Sequence, residues 1–197
     1  QYGSFLQLGA DNALPLDKKV VIGNPEPGNG QFDLNGYSQT LGGLQEYGTT
    51  ASKPNNIITN GRPSSVSTLT VSQAAGVSDL FSGRIIGAIS LVKGGAANST
   101  LTLAGTNAFT GAAVVNGGTL AVNSNGVLSV SCTNVTVAAG TLVAVGGTVV
   151  AVGGTLVAVG GILVAVGWIA FAVAVCSAWA SMAALVRVAS AKRATWV

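Results

Sequence analysis

Short runs of alternating apolar and small polar residues follow one another along the first two thirds of the chain. Residues 99–103 (STLTL) and 119–122 (TLAV) show the alternation most clearly, with aliphatic side chains at every second position. A period of two is typical of a strand that turns one face to a core and the other to solvent. The pattern therefore predicts short, half-buried β-strands.

Seven stretches before residue 131 combine β-branched residues with a closing Asn, Gly or Ser, which tolerate tight-turn backbone angles. They are 19–24, 31–36, 56–61, 65–72, 99–105, 112–118 and 119–126. Three architectures fit many short strands at near-regular spacing: a sandwich, a barrel and a coiled solenoid. Because stacked coils would align the Thr, Ser and Asn residues in ladders, the pattern favours an all-β fold of the parallel solenoid type.

Residues 90–122 (SLVKGGAANSTLTLAGTNAFTGAAVVNGGTLAV) resemble the autotransporter-associated β-strand repeat. The matching positions are Leu91, Lys93, Leu101 to Leu103, Gly105, Asn107, Phe109-Thr110-Gly111, Val115-Asn116, Gly118 and Thr119-Leu120. A looser similarity to the spacers between such repeats extends the resemblance to roughly residues 8–126. The resemblance implies a right-handed parallel β-helix exposed outside a bacterial cell, as the passenger part of a secreted or surface protein. It carries no catalytic residues with it.

Stacked coils bury what one coil cannot, so some side chains of this repeat must point inward. The inward set is predicted to be Leu101, Leu103, Val114 and Leu120. Phe109 is predicted to pack at a corner of the coil rather than to stack on a ligand.

After residue 126 the chain departs from this pattern and repeats GTLVAVG with a period of seven from Gly140. Strands separated by Gly-Gly corners would continue the solenoid, with three faces closing a coil of about twenty-one residues. The first predicted domain is therefore 1–160, a parallel β-helix with its best repeat match at 90–122. Both alternating sets of this tail are apolar, which indicates an assembly or aggregation surface.

The second predicted domain, 161–197, is a C-terminal apolar helix with a basic end. Residues 162–186 are rich in Ala, Leu, Met and Trp and, as a helix, would cross a hydrocarbon core of about 30 Å. Arg187, Lys192 and Arg193 follow, which predicts a cytoplasmic C-terminus for a membrane-spanning segment. A helix packed on protein, or a product of repeat slippage or frameshift in the gene, are the alternatives.

Charge and composition exclude several functions. Only 8% of residues are charged, the net charge is +3 and the basic residues are scattered, so no nucleic-acid partner is predicted. The chain has no histidine, which removes Ser-His-Asp and Cys-His catalysis and imidazole metal ligands. Cys132 and Cys176 are predicted to be buried thiols rather than a disulfide. No signal peptide is recognisable in the first residues.

No catalytic, cofactor-binding or metal-binding residue is therefore predicted, and no cofactor. Polysaccharide-cleaving β-helices use clustered acidic and basic groups along one groove. Paired carboxylates could come here from Asp11, Asp17, Glu26, Asp33, Glu46 and Asp79, which are far apart in sequence. Asp33, Glu46 and Asp79 are the three whose replacement by alanine would test such an activity. Solvated surface charge is the preferred interpretation of these acidic residues.

The leading hypothesis is a non-catalytic, surface-exposed or secreted bacterial solenoid, a stalk or passenger fragment with adhesive faces. Its partners would be a host or neighbouring-cell surface or matrix, with membrane contact through 162–186. The alternatives are a polysaccharide-active β-helix enzyme and a self-assembling, fibre-forming protein driven by the valine-glycine repeat.

Overall fold

The computed structural model describes residues 4–23, 29–48, 53–123, 128–129 and 135–137, and the backbone of five further strands between 141 and 175. Apart from one 3-10 turn at Lys53–Asn55, the regular elements of these residues are all strands. The strands are β1 (Ser4–Gln7), β2 (Lys19–Ile22), β3 (Gly30–Asp33), β4 (Gln39–Leu41), β5 (Gly43–Glu46), β6 (Ile57–Thr59), β7 (Ser67–Gln73), β8 (Ser78–Phe81), β9 (Arg84–Gly87), β10 (Ile89–Gly95), β11 (Thr100–Leu103), β12 (Ala108–Phe109), β13 (Ala113–Val115), β14 (Thr119–Val122), β15 (Val135–Val137), β16 (Thr141–Val145), β17 (Val149–Ala151), β18 (Thr155–Val159), β19 (Leu163–Ala165) and β20 (Val173–Val175).

Apart from β17 and β19, which pair with each other, the strands stack into three parallel faces of a β-solenoid. The first face has the strand order β1-β3-β6-β9-β12, and the second has β15-β13-β10-β7-β4. The third face consists of β2-β5 and, beside it, β20-β18-β16-β14-β11-β8. Since each strand pairs with one in the next coil and not with its sequence neighbour, the predicted parallel solenoid is confirmed.

The register defines the length of a coil. Ser67 pairs with Ile89 and Leu91 with Ala113, so equivalent positions recur at the same spacing in these later coils. An earlier coil is longer, because Gln39 pairs with Leu69. The additional residues lie between β5 and β7, where the 3-10 turn is inserted.

Inward columns of aliphatic and aromatic side chains form one continuous core. On the first face Phe32, Ile58 and Ile85 occupy successive register positions and are at most 1% exposed. The third face contributes Leu101 and Leu120, which pair directly. Burying such a side chain contributes about 1.5–3 kcal/mol, so the stacked columns stabilise the coil-to-coil arrangement.

Each of the seven predicted stretches overlaps a strand, and Leu101, Leu103, Leu120 and Phe109 are buried as predicted. The inward orientation predicted for Val114 is wrong, because Ala113 and Val115 are fully buried while Val114 is half-buried on the outside. Four apolar residues in a row, AAVV, leave the phase of the alternation open. The pairing of Ala113 with inward Leu91 fixes it.

The three-faced coil predicted for the seven-residue repeat is also wrong. Thr141 pairs with Thr155 and Val149 with Leu163, so one coil there contains two copies of the repeat and not three. Two extended segments therefore close this coil. The prediction had assumed three strands per coil, with a Gly-Gly pair at each corner.

Cys132 and Cys176 lie outside the described residues, and so does most of the predicted C-terminal helix. Within 161–197 the structure describes only β19 and β20. Among the described residues, no helix has the length and apolarity that a bilayer crossing requires.

Candidate functional site

Asp33, Glu46 and Asp79, the carboxylates considered for polysaccharide chemistry, are not solvated surface charges. They are 4%, 9% and 3% exposed. Asp33 ends β3 on the first face, while Glu46 ends β5 and Asp79 lies in β8 on the third. The structure therefore does not gather all three carboxylates on one face, and each must be examined for what it binds.

Asp33 holds three neighbouring segments together. Its carboxylate accepts hydrogen bonds from Gln7 Nε2 at 2.8 Å, from the Asn35 backbone N–H at 2.8 Å and from the Gly61 N–H at 2.7 Å. Burial alone would raise the pKa of Asp33, but these bonds favour the carboxylate and bring its pKa below the ordinary value. Its acceptor capacity is directed at the protein itself.

Asp79 is the centre of a buried polar cluster on the third face. Its Oδ2 accepts hydrogen bonds from the Leu44 N–H at 3.1 Å and from Gln73 Nε2 at 2.9 Å. Its Oδ1 lies 2.5 Å from Lys19 Nζ, and the Asp79 side chain is completely buried. Because Lys19 belongs to the first coil and Asp79 to the third, this ion pair spans the intervening coil.

The bond from Leu44 to Asp79 connects β5 with β8, and Glu46 connects β5 with Ser82, the residue that follows β8. The two Glu46 oxygens accept from the Ser82 N–H and from the Ser82 hydroxyl, both at 3.0 Å. The strands β5 and β8 are in contact but belong to separate sheets. Glu46 and Asp79 thus accept hydrogen bonds from the Ser82 and Leu44 backbone N–H groups at the place where the backbone ladder is interrupted. Buried donors without such partners would be costly.

Lys93 occupies an inward position that aliphatic residues hold in the neighbouring coils. It pairs in register with Val71 on one side and Val115 on the other, and it is fully buried. Its ammonium donates to Ser99 Oγ at 2.9 Å, to the Gly117 carbonyl at 3.3 Å and to the Gly94 carbonyl. Burial lowers the pKa of Lys93, and the Asp79 carboxylate offsets part of that effect.

Sequence reasoning missed Lys93 and Gln73 as members of this cluster. The signal was available for Lys93, because it continues the inward phase of Leu91 in β10. The residues that contact Lys93 and Asp79 could not be predicted. Contacts between coils depend on the register and on coil lengths, which differ along the chain. Ser99 and Lys93 form a hydroxyl–amine contact, but both are fully buried and no substrate reaches them.

The outer side of the third face carries a column of hydroxyl residues. Ser78, Thr100 and Thr119 occupy equivalent positions on β8, β11 and β14. The backbone register continues from Thr119 to Thr141 and Thr155 in β16 and β18. Adjacent parallel strands lie about 4.8 Å apart, so these positions repeat at that interval along the solenoid axis. Ser78 is exposed, and Thr100 and Thr119 are half-buried.

A groove of about 540 Å³ lies between the 3-10 turn and the edge of the third face. Lys53, Leu80, Ser82, Thr106 and Asn123 contribute to its walls. Leu80 is 45% exposed and lies two residues after Ser78, which connects the groove to the hydroxyl column. Together, the column and the groove form an outward surface that combines regularly spaced polar groups with exposed apolar area.

Within the described part of the chain, no group of three His, Cys, Asp or Glu side chains is arranged to hold a metal ion. Comparisons with protein-family models, with curated proteins and with solved structures found no match. The fold places the chain in the class of parallel β-solenoids. Membership of the autotransporter-associated repeat family stays a prediction from residues 90–122.

Proposed function

We propose that this chain is a non-catalytic β-solenoid of a secreted or cell-surface bacterial protein, right-handed in its coiling, that contributes a rigid contact surface. The main support for this proposal is that the buried carboxylates of the chain form hydrogen bonds within the protein. Asp33, Glu46 and Asp79 are each engaged by donors of the protein itself, which leaves them unsuited to general acid or base catalysis.

The contact surface we propose is the hydroxyl column of the third face together with the adjoining groove. Regularly spaced hydroxyls on a flat sheet offer hydrogen bonds to an extended polar partner such as a cell-surface or matrix polymer. The resemblance to passenger repeats supports an extracellular setting, and the apolar 162–186 segment supports contact with a membrane.

Adhesion is tested by measuring the binding of fluorescently labelled protein to bacterial cells, to epithelial monolayers and to decellularised matrix. We expect saturable binding to at least one of these, weakened at least tenfold by Thr100→Glu combined with Thr102→Glu. Thr68→Glu combined with Thr70→Glu places the same two charges on the second face and should leave binding unchanged. Equal loss with both variants, or no binding to any of the three, would contradict the proposal.

Self-assembly through the tail is a second candidate function, favoured by the register of β16 and β18. Identical residues pair along both strands: threonine, leucine, valine, alanine and valine each face their counterpart. In-register stacking of identical strands is the arrangement on which cross-β fibrils are built. A peptide of residues 140–167 should bind thioflavin and form fibrils, and a peptide that stays monomeric would exclude this function.

A further inference from the structure

The Lys19 side chain reaches its partner by crossing a glycine. Lys19 pairs in register with Gly43 of the next coil, and its ammonium contacts Asp79 in the coil after that. A Cβ atom added at Gly43 would lie 2.6 Å from Asp79 Oδ2 and 2.9 Å from Lys19 Cε. A Cβ atom at position 43 would therefore force Lys19 or Asp79 to shift from the positions in which the amine meets the carboxyl group.

The two oxygens of Asp79 are in different surroundings. Oδ2 is fixed by two N–H donors, from Leu44 and Gln73. Oδ1 contacts the Lys19 ammonium and, within the described residues, makes no hydrogen bond to any other group. Donors fixed on one oxygen stabilise negative charge that develops there when a nucleophile adds to the carbon. The other oxygen is free to leave.

From this arrangement we propose that Lys19 and Asp79 condense to an intramolecular isopeptide bond. The ammonium first transfers a proton to Oδ1, which gives a neutral amine and a carboxylic acid. The nitrogen lone pair then forms the N–Cγ bond while the carbonyl electron pair moves to Oδ2. A second proton passes from nitrogen to the Oδ1 hydroxyl, the Cγ–Oδ1 bond breaks with its electron pair, and one water molecule leaves. No oxidant, reductant or further reactant is required.

Burial favours the first and last steps. A low-dielectric site disfavours the ammonium–carboxylate pair relative to the neutral amine and acid, and the Asp79 side chain is completely buried. The fixed orientation of the two groups accelerates the attack of the amine on the carboxyl carbon, because reacting groups held in place behave as if at effective concentrations of roughly 10⁵–10⁸ M. The released water has an exit along the Lys19 side chain, which is 35% exposed.

The bond would join the first coil to the third across the interrupted ladder between β5 and β8. It would close a covalent loop from residue 19 to residue 79, restricting the unfolded chain as a disulfide does. Residues 19–79 contain no cysteine, so the isopeptide bond would do there what a disulfide does elsewhere and fasten the first described coil to the third.

The test is the intact mass of the full chain, measured by mass spectrometry under denaturing conditions. We expect wild-type protein to be lighter than its sequence by the mass of one water molecule. Cleavage after Glu46 by a glutamate-specific protease should leave the two fragments on either side of that residue joined. Asp79→Ala and Lys19→Arg should restore the full mass and let the fragments separate. Lys18→Arg, at the neighbouring exposed lysine, should keep the deficit and the link.

A wild-type chain of full mass, whose fragments separate after cleavage at Glu46, would overturn the proposal and leave Lys19 and Asp79 as an ion pair. This outcome does not depend on whether the variants fold. It is also independent of the adhesive function, since binding to cells or matrix is measured separately.

Discussion

Asp79 and Lys19 show how single residues connect coils where the backbone ladder is interrupted, and Lys93 adds a second buried charge close to them. The Asp79 carboxyl group lies beside one lysine and within electrostatic reach of the other, in a region otherwise filled by aliphatic columns. Removing one partner from such a cluster leaves the remaining groups buried without compensation. The cost should therefore be much larger than that of any surface charge.

Asp79→Ala should lower the free energy of unfolding by about 3–5 kcal/mol, because it removes the connection to Lys19 and leaves the Leu44 and Gln73 donors without their acceptor. Asp17→Asn is the matched control. It removes the exposed ion pair between Asp17 and Lys18, whose side chains are 73% and 70% exposed, and should leave stability nearly unchanged because solvent screens the pair. Urea unfolding measures both. Equal effects would show that the Asp79 cluster does not stabilise the fold.

Gly43→Ala should cost about 1–3 kcal/mol, because the added methyl group overlaps Asp79 Oδ2 and Lys19 Cε. Gly9→Ala serves as its control, since a Cβ at Gly9 meets nothing within 4 Å. Thermal unfolding of the two variants separates the close approach from the general effect of replacing glycine. A tolerated Gly43→Ala would contradict the crossing of Lys19 over this residue.

Lys93 should make stability depend on pH in the alkaline range. Its pKa is lower in the folded chain than the ordinary value of 10.5, so between the two values the unfolded chain binds more protons. Stability therefore rises with pH through that window, and below it the cost of burying the charge is constant. Comparing urea unfolding of wild type and Lys93→Met from pH 7 to 10.5 should show a smaller rise in the variant. Identical pH profiles would contradict a depressed pKa.

At the scale of the element, alternation in the sequence predicts a strand better than it predicts the strand's phase. The stretch 112–118 was correctly predicted to contain a strand, β13, yet its inward residue was misassigned by one position. Strands such as β4, β9 and β12 were missed because their own residues show no clear alternation of apolar and polar side chains. Their place is set by pairing with neighbouring coils, which is not readable from a local pattern.

The finding that Val115, and not Val114, points into the core can be tested by replacing each of the two valines with alanine. Val115→Ala should cost about 2 kcal/mol because it removes two methyl groups from the core, whereas Val114→Ala should cost less than about 1 kcal/mol. Denaturant midpoints of the two variants give the comparison. The reverse order would place Val114, and not Val115, inside the solenoid.

At the scale of the whole molecule, the parallel solenoid was predictable because its coils repeat in sequence. Turn residues, outward hydroxyls and inward aliphatics recur through residues 65–122. The pairs Ser67–Ile89, Leu91–Ala113 and Ser78–Thr100 share one spacing, and Thr100 and Thr119 lie slightly closer in sequence. The buried carboxylate–lysine cluster was not predictable. It joins residues 19, 43, 79 and 93, whose proximity depends on coil lengths that only the pairing reveals.

The parallel stacking of successive coils underlies every contact described above, and paired cysteines between β7 and β10 provide its most direct test. Thr68 pairs with Ser90 and Ser72 with Gly94. In a background with Cys132→Ser and Cys176→Ser, the double variants Thr68→Cys/Ser90→Cys and Ser72→Cys/Gly94→Cys should both form disulfides on mild oxidation. The crossed pairs, Thr68→Cys/Gly94→Cys and Ser72→Cys/Ser90→Cys, should stay reduced because they lie too far apart. Disulfides in the crossed pairs and none in the direct pairs would mean that the two strands run antiparallel, and the solenoid would be wrong.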